Sequence, residues 1–450
     1  MIMAVSADNL LLGITGEIQS RPDLWRTFLG LCDLGPRFCG TPSERAALEY
    51  IEAKLKGWGA ADVSRWEFDY TGWRCDLCEL SIPAPPPGWE FGILPLVYSA
   101  GTPTGGIDLE TIDLRRGTPG DFERAGDAIR GRAVIVDADY SFATHSIHRR
   151  RKFLPSVEGG AAALFLVNPR PGRFPVTGST TASGSSIPAA GISREDGALL
   201  RRLGGKVHLN LQVETSPARA ANLIARLPGR GEGRTVVLSA HYDGHNCGES
   251  ALDNATGVAV TLEMARLLVP YTGKFFNDLE IHFFTVEEWS LQGSRAYADS
   301  LSEDNVKQIA LNLNLDVVAG SPKLTFLCNG FGDLAEWARE TLRDEPARCE
   351  VSEWVAHNSD HANFLRRGIP SIRLLAGMNE EDSDCGFHLS PADTTDKVRR
   401  EDLAAAAGAA ARVLLAALDS ELPPARMRTG AEAAALLPHY GFAPPPGEGE

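Results

Sequence analysis

One stretch constrains this chain more than any other. It runs from Thr235 to Arg266 and reads TVVLSAHYDGHNCGESALDNATGVAVTLEMAR. Thr235 to Ala240 is a short run of strand type with no break inside it. It delivers His241 and Asp243 at its carboxyl end. A polar loop follows, holding Asp253, Asn254, Ala255, Thr256 and Gly257. Beyond it Val258, Leu262, Ala265 and Leu268 recur on a helical period. A strand, a loop and a helix in that order mark an α/β unit. Such sheets bind ligands outside the carboxyl ends of their strands. A histidine and several carboxylates gathered there make this loop the first candidate site.

Downstream the alternation continues. Strands are expected at 278–286, 309–315, 323–328, 350–355 and 370–376. Helices are expected at 291–299, 333–344, 360–367 and 396–418. Strands alternating with helices imply a mixed, mostly parallel sheet flanked by helices on both faces. Upstream, Leu24 to Leu34 has helical spacing. A second helix ends at Gly57, with Ser43 as its expected N-cap, and Val63 to Tyr70 alternates like a strand. Pro83, Pro85, Pro86 and Pro87 then form a linker-like break. Between about 90 and 215 the apolar runs are short and β-rich, with one helical patch at 195–203. The expected organisation is a discontinuous main domain over 22–80 and 216–420, a smaller β-rich insertion over 81–215, and a surface tail over 421–450.

With 450 residues, more than one domain is expected. Apolar residues make up 43%, enough for real cores. There are 44 basic against 59 acidic groups, a net charge of −15. That balance argues against a general nucleic-acid binder and against an anionic membrane surface. No run approaches the roughly 18–20 apolar residues of a membrane span. The first residues lack the basic start and the apolar run of about 7–15 residues of a secretory signal, so a cytoplasmic location is the expectation. The eight cysteines form no paired framework. Cys75-Asp76-Leu77-Cys78 has no second CxxC to answer it, so its thiols read as incidental. Oligomeric state is not legible.

Three more strand ends carry metal-ligand types. The strand from Asp278 runs into Glu287 and Glu288, the strand from 309 runs into Asp316, and a late loop carries His388. The candidate ligand set is therefore His241, Asp253, Glu288, Asp316 and His388. Two histidines and three carboxylates suit zinc. Five ligands exceed one tetrahedral ion but fit two if a carboxylate bridges them. Neighbours at a strand end point different ways, so Glu288 can bind metal while Glu287 serves as a general base. Asp243 can accept the second ring N–H of His241 and fix its tautomer. Asp393 can do the same for His388, or cap the helix near Asp396.

Together these residues resemble a known family, the double-zinc metallopeptidases that include leucyl aminopeptidases and, more distantly, glutamate carboxypeptidase. The resemblance rests on SAHYD (239–243), LDNATG (252–257), EEWSLQGS (287–294), NLD (314–316), SDHANF (359–364), GIP (368–370) and FHLSPADTTDKV (387–398), with GPRFCGT (35–41) upstream. It implies two zinc ions on His241, Asp253, Glu288, Asp316 and His388, with Asp253 bridging and Glu287 as base. Asp243 joins Glu287 in the catalytic set. The segment with GRAVIVDAD, EGGAAALFLVN and IPAAGISREDGALL is similar to a protease-associated domain, which frames the active site in relatives. One position departs from the family pattern. Phe387 stands where a tyrosine hydroxyl helps polarise the scissile carbonyl, a donor worth about 2.7–4 kcal/mol in such sites. His357, Asn358 and Tyr242 are the candidate substitutes.

The resemblance implies a zinc-dependent exopeptidase acting on peptides, with an aminopeptidase ranked first. The alternatives are a carboxypeptidase or dipeptidase of the same family, or a non-catalytic receptor-like relative. Elsewhere the ordinary reading is preferred. His245 is expected to face solvent. Asp360 and His361 are as readily helix caps as pocket residues. The basic cluster His145, His148, Arg149, Arg150, Arg151 and Lys152 is expected to be a solvated loop.

Overall fold

The computed structural model describes residues 7–82, 88–181, 186–231, 233–345 and 349–436. The proline break at 83–87 and the end of the expected tail lie outside the described residues. Strands paired in register recur from Asp62 to Ala376. In the larger part their order is Cys349–Ser352, Leu324–Leu327, Ser371–Ala376, Ile309–Leu315, Thr235–His241, Asp278–Phe284 and Lys206–Leu227. Thr235–His241 pairs parallel with both Asp278–Phe284 and Ile309–Leu315, and the latter pairs parallel with Ser371–Ala376. Leu324–Leu327 runs antiparallel to Ser371–Ala376. The sheet is thus mixed and mostly parallel, as the alternation of elements implies.

Its central strands are buried on both faces, because successive side chains point opposite ways. Val236, Leu238 and Ala240 enter a core with the helices Asp23–Cys32, Pro42–Gly57, Thr256–Leu268 and Arg400–Asp419. Val237 points the other way, into a core with Phe284, Tyr297 and Phe364. One helix of the first layer, Ala7–Ser20, escapes the sequence reading. Its Leu10, Ile14 and Ile18 are spaced to face Arg400–Asp419.

Two very long strands, Asp62–Ile82 and Lys206–Leu227, form an antiparallel ribbon in register from Asp62 with Arg226 to Ser81 with His208. A bulge lies between Cys75 and Leu77. One end of Lys206–Leu227 pairs with Asp278–Phe284, and the other pairs with Ile107–Asp113. Both expected domain boundaries, near 81 and near 215, therefore fall inside this ribbon.

Beyond it, Ile107–Asp113, Ala133–Asp137, Ala163–Val167 and Ala189–Ile192 are parallel neighbours. Separate apolar clusters cover their two faces. The expectation of a β-rich insertion with one helical patch needs correction. Helices Pro119–Ala125, Arg150–Glu158 and Arg194–Leu203 make this unit α/β. The first is short. The second opens on Arg150, Arg151 and Lys152 and contains Pro155, which hides its period. Two smaller corrections concern termini. Thr41, not Ser43, caps Pro42–Gly57 by accepting from the backbone of Glu44. The segment after 421 is not simply a surface tail, since Ala425 and Ala433 are buried and the Arg428 N–H donates to the Gly368 carbonyl at 2.8 Å.

The segment before the first long helix is pinned under the site by Arg37. Its fully buried guanidinium donates to the carbonyls of Leu31, Gly35, Tyr242, Glu249 and Ser250 at 2.7–3.2 Å. Removing it leaves several buried acceptors unpaired, each costing on the order of 1–3 kcal/mol less whatever relaxation recovers. Arg37→Met is expected to lower the free energy of unfolding by about 3 kcal/mol in urea titrations.

Candidate metal centre

The site forms where three neighbouring strands end. His241 is the last residue of Thr235–His241. Glu287 and Glu288 follow Asp278–Phe284 after a turn in which Val286 has positive φ. Asp316 follows Ile309–Leu315 directly. Asp253 comes from the segment Ala251–Ala255, just before the helix Thr256–Leu268, and its peptide bond to Asn254 is cis. Asn254 ties this segment to the Asp316 loop. Its amide donates to the Leu315 carbonyl at 2.8 Å, and its oxygen accepts from Gly257 and Val317. Gly257 must be glycine here, because a Cβ would lie 2.3 Å from the Leu315 oxygen.

These elements gather the ligand types. Donor atoms of His241, Asp253 and Asp316 lie within 4.8 Å of one another, as do those of His241, Glu287 and Glu288. His241 Nε2 is 3.1 Å from Asp253 Oδ1 and 3.5 Å from Asp316 Oδ1. His388 lines the same cavity as Asp253, Glu287, Glu288 and Asp316 but stands outside both close clusters. Its Nδ1 meets the Cys385 carbonyl at 2.7 Å, which leaves Nε2 as its free coordinating nitrogen.

Asp243 does more than the sequence suggests. The Nδ1 of His241 lies nearer the Asp243 carbonyl, at 3.2 Å, than its carboxylate, at 3.6 Å. The Asp243 carboxylate instead accepts the backbone N–H groups of Glu287 and Glu288, both at 3.2 Å, and so sets the turn that carries them. Asp393 neither serves His388 nor caps a helix. Its oxygens accept from the backbone of Leu252 and Asp253 at 2.6 and 3.2 Å.

Other expectations need correction. His245 does not face solvent. It is buried, with Nε2 2.6 Å from Glu288 Oε2. Asp360 makes no side-chain cap and is fully buried near the cluster. Tyr242 is unavailable as a substitute donor, because its hydroxyl donates to the Ala221 carbonyl at 2.8 Å. Phe387 packs beneath Arg170 and Lys397, at 4.9 and 5.1 Å from its ring centre. His357 and Asn358 do line the cavity. So do Arg149 and Arg150, which are half-buried rather than part of a solvated loop. Their burial depends on segments far along the chain, and no local pattern announces it.

Burial pushes the Glu287 carboxyl well above the usual range. His241 pulls against this, while Glu288, Asp360 and Asp316 add to it. Glu288 is raised by burial and by Asp253. Burial opposes ionisation of Asp316 too, but Arg373, 2.9 Å away, and His241 outweigh it and hold that carboxyl low. Burial lowers His388 to about 4 and His245 to about 3, so both are neutral imidazoles able to bind a metal.

Among the described residues, three buried acceptor oxygens here have no hydrogen-bond partner: Asp253 Oδ1, Glu288 Oε1 and Asp316 Oδ1. Orphaned acceptors facing a shared space are costly unless a cation satisfies them. Imidazole and carboxylate donors together fit zinc. The residues present therefore fit the metal that the sequence implies.

Comparisons with known proteins bear on this geometry. Residues 222–414 match the model of Peptidase family M28. The chain is 27% identical over 375 residues to the probable lipoprotein aminopeptidase LpqL of Mycobacterium tuberculosis, covering 78% of this chain and 71% of that one. It is 27% identical over 401 residues to aminopeptidase YwaD of Bacillus subtilis, covering 87% and 83%. The fold is shared with a peptidase M28 precursor from Shewanella amazonensis, at a TM-score of 0.82, 20% identity and coverage of 94% and 99%. It is also shared with BSAP, a zinc aminopeptidase from Bacillus subtilis, at 0.69, 22%, and 95% and 99%. The stretch 222–414 is thus similar to Peptidase family M28, and the fold is shared with solved peptidases. Among the described residues no helix is long and apolar enough to cross a membrane.

Purified protein equilibrated with zinc and desalted is expected to hold two ions per chain by elemental analysis. Asp253→Asn is expected to hold one or none, with an unchanged far-ultraviolet circular dichroism spectrum.

Proposed function

We propose that this chain is a zinc-dependent exopeptidase, an aminopeptidase that hydrolyses the first peptide bond of its substrate. The observation that carries the reading is the set of unpartnered buried oxygens of Asp253, Glu288 and Asp316 around His241, with Glu287 beside them. The match to Peptidase family M28 and the relatives named aminopeptidases support it. In this reading His241, Asp253, Glu288, Asp316 and His388 would hold two zinc ions. Zinc, when bound, supplies a Lewis acid and lowers the pKa of a water to near neutrality.

The protein's own groups do the rest. Glu287 takes a proton at its carboxylate and returns it to the leaving amine. Its buried carboxylate lies beside His241 and Glu288, placed to make that exchange. Asp243 holds the Glu287–Glu288 turn through its two backbone contacts. Arg373 fixes one oxygen of Asp316, so the other points into the cluster. With Phe387 turned away, His357 is the donor we assign to the scissile carbonyl. The unit between the ribbon strands acts as a cover in the manner of a protease-associated domain, placing Arg149 and Arg150 opposite the carboxylates.

Glu287→Gln is expected to retain its metal and lose activity about 100- to 10,000-fold. Near-normal turnover removes Glu287 from the base role. Peptides blocked at one end or the other test the direction of attack. Cleavage only of those with a free amino end supports the aminopeptidase, and cleavage only of those with a free carboxyl end supports the alternative.

A further inference from the structure

Arg149 and Arg150 enter the cavity from the far side of the carboxylate cluster. The helix Arg150–Glu158 starts at this point, so the two side chains are fixed at its first turn. Arg149 Nε donates to the Ser179 carbonyl at 2.7 Å. Arg150 Nε donates to the Thr180 carbonyl at 2.7 Å, and its terminal nitrogen reaches Ser290 Oγ at 2.6 Å. These are neutral partners. Among the described residues, neither guanidinium has a carboxylate as an ion-pair partner.

A guanidinium withdrawn from water without a counter-charge is expensive. Burial, helped by Arg149 and Arg295 and opposed by Glu287, lowers Arg150 to about 9. The negative groups that act on Arg149 are Glu288, Glu287 and Asp253. Those are the groups that bound cations would satisfy. Once they are satisfied, the arginine wall keeps an unmatched positive charge facing the place where substrate must lie. The adjoining pocket mixes Leu327, Trp354 and Met378 with Arg151, His357 and Arg373, and offers a substrate side chain a separate berth.

We infer that Arg149 and Arg150 form a carboxylate-binding subsite, and that the substrates are peptides carrying a free carboxylate within one residue of the cleaved bond. The inference rests on the peptidase reading. Two sources share this chemistry: the terminal carboxylate of a dipeptide, and the side chain of an acidic residue. Planar, forked guanidinium donors suit either.

The test compares Leu-Gly, Leu-Gly-amide, Leu-Asp-amide and Glu-Gly-amide on the zinc-loaded full chain. At least one acid-bearing peptide is expected to exceed Leu-Gly-amide in kcat/KM by tenfold or more. Preference for Leu-Gly identifies a dipeptide end, and preference for Leu-Asp-amide or Glu-Gly-amide identifies an acidic side chain. In Arg149→Gln and Arg150→Gln the ratio of acid to amide is expected to fall about ten- to a hundredfold. Ratios near one for all acid-bearing peptides in the unmodified enzyme overturn the inference whether or not the variants fold. Calorimetric binding of the same peptides to Glu287→Gln separates the two readings. Tighter binding of an acid-bearing peptide, with no turnover of any peptide by the unmodified enzyme, sinks the peptidase reading and leaves the subsite standing. Equal binding of all four alongside turnover does the reverse.

Discussion

Negative charges crowded out of water repel one another, and the end of this sheet is built around that repulsion. Asp253, Glu287, Glu288 and Asp316 are all buried, and all lie close to His241. A protein without metal partners would protonate such a group or open it to solvent. Here the chain meets part of the charge itself. Arg373 takes one oxygen of Asp316, and His245 approaches Glu288. The oxygens left over define the space that a cation fills.

Holding such a cluster requires a stiff frame. His241, Glu288 and Asp316 end or follow strands buried on both faces, and the loops of the site are cross-tied through Asn254, Asp243 and Asp393. Each tie uses a side chain to satisfy backbone groups that the loops leave unpaired. Arg37 does the same from below, collecting carbonyls from both the first loop and the segment around Ser250. Asn254, Asp243, Asp393 and Arg37 thus fix main chain, while the candidate ligands and the basic groups opposite them line the cavity.

What the sequence discloses follows from how local each signal is. The strands at 235–240 and 309–315 are legible because short apolar runs end abruptly in charged residues. His241, Glu288 and Asp316 are legible for the same reason. The helix Thr256–Leu268 declares itself by period. By contrast, His245 looks like any loop histidine, and its burial depends on Glu288, more than forty positions later. Arg150 looks like part of a basic surface run until Ser290 is brought beside it. The length of the ribbon is not legible because Gly72, Arg74 and Asp76 interrupt its alternation, although pairing with Lys206–Leu227 carries the strand through them. The role expected of Asp393 fails because its real partners, two backbone N–H groups, leave no trace in residue types.

That ribbon has a consequence for how such a protein can change. A covering module joined by loops could be traded for another by splicing at the joints. Here the joint is a ladder whose rungs continue on one side into Asp278–Phe284, the strand that leads to Glu287, and on the other into Ile107–Asp113. Slipping it by one rung would turn every side chain to the opposite face. New specificity is therefore reached more readily by altering single residues on the module's rim than by exchanging the module whole.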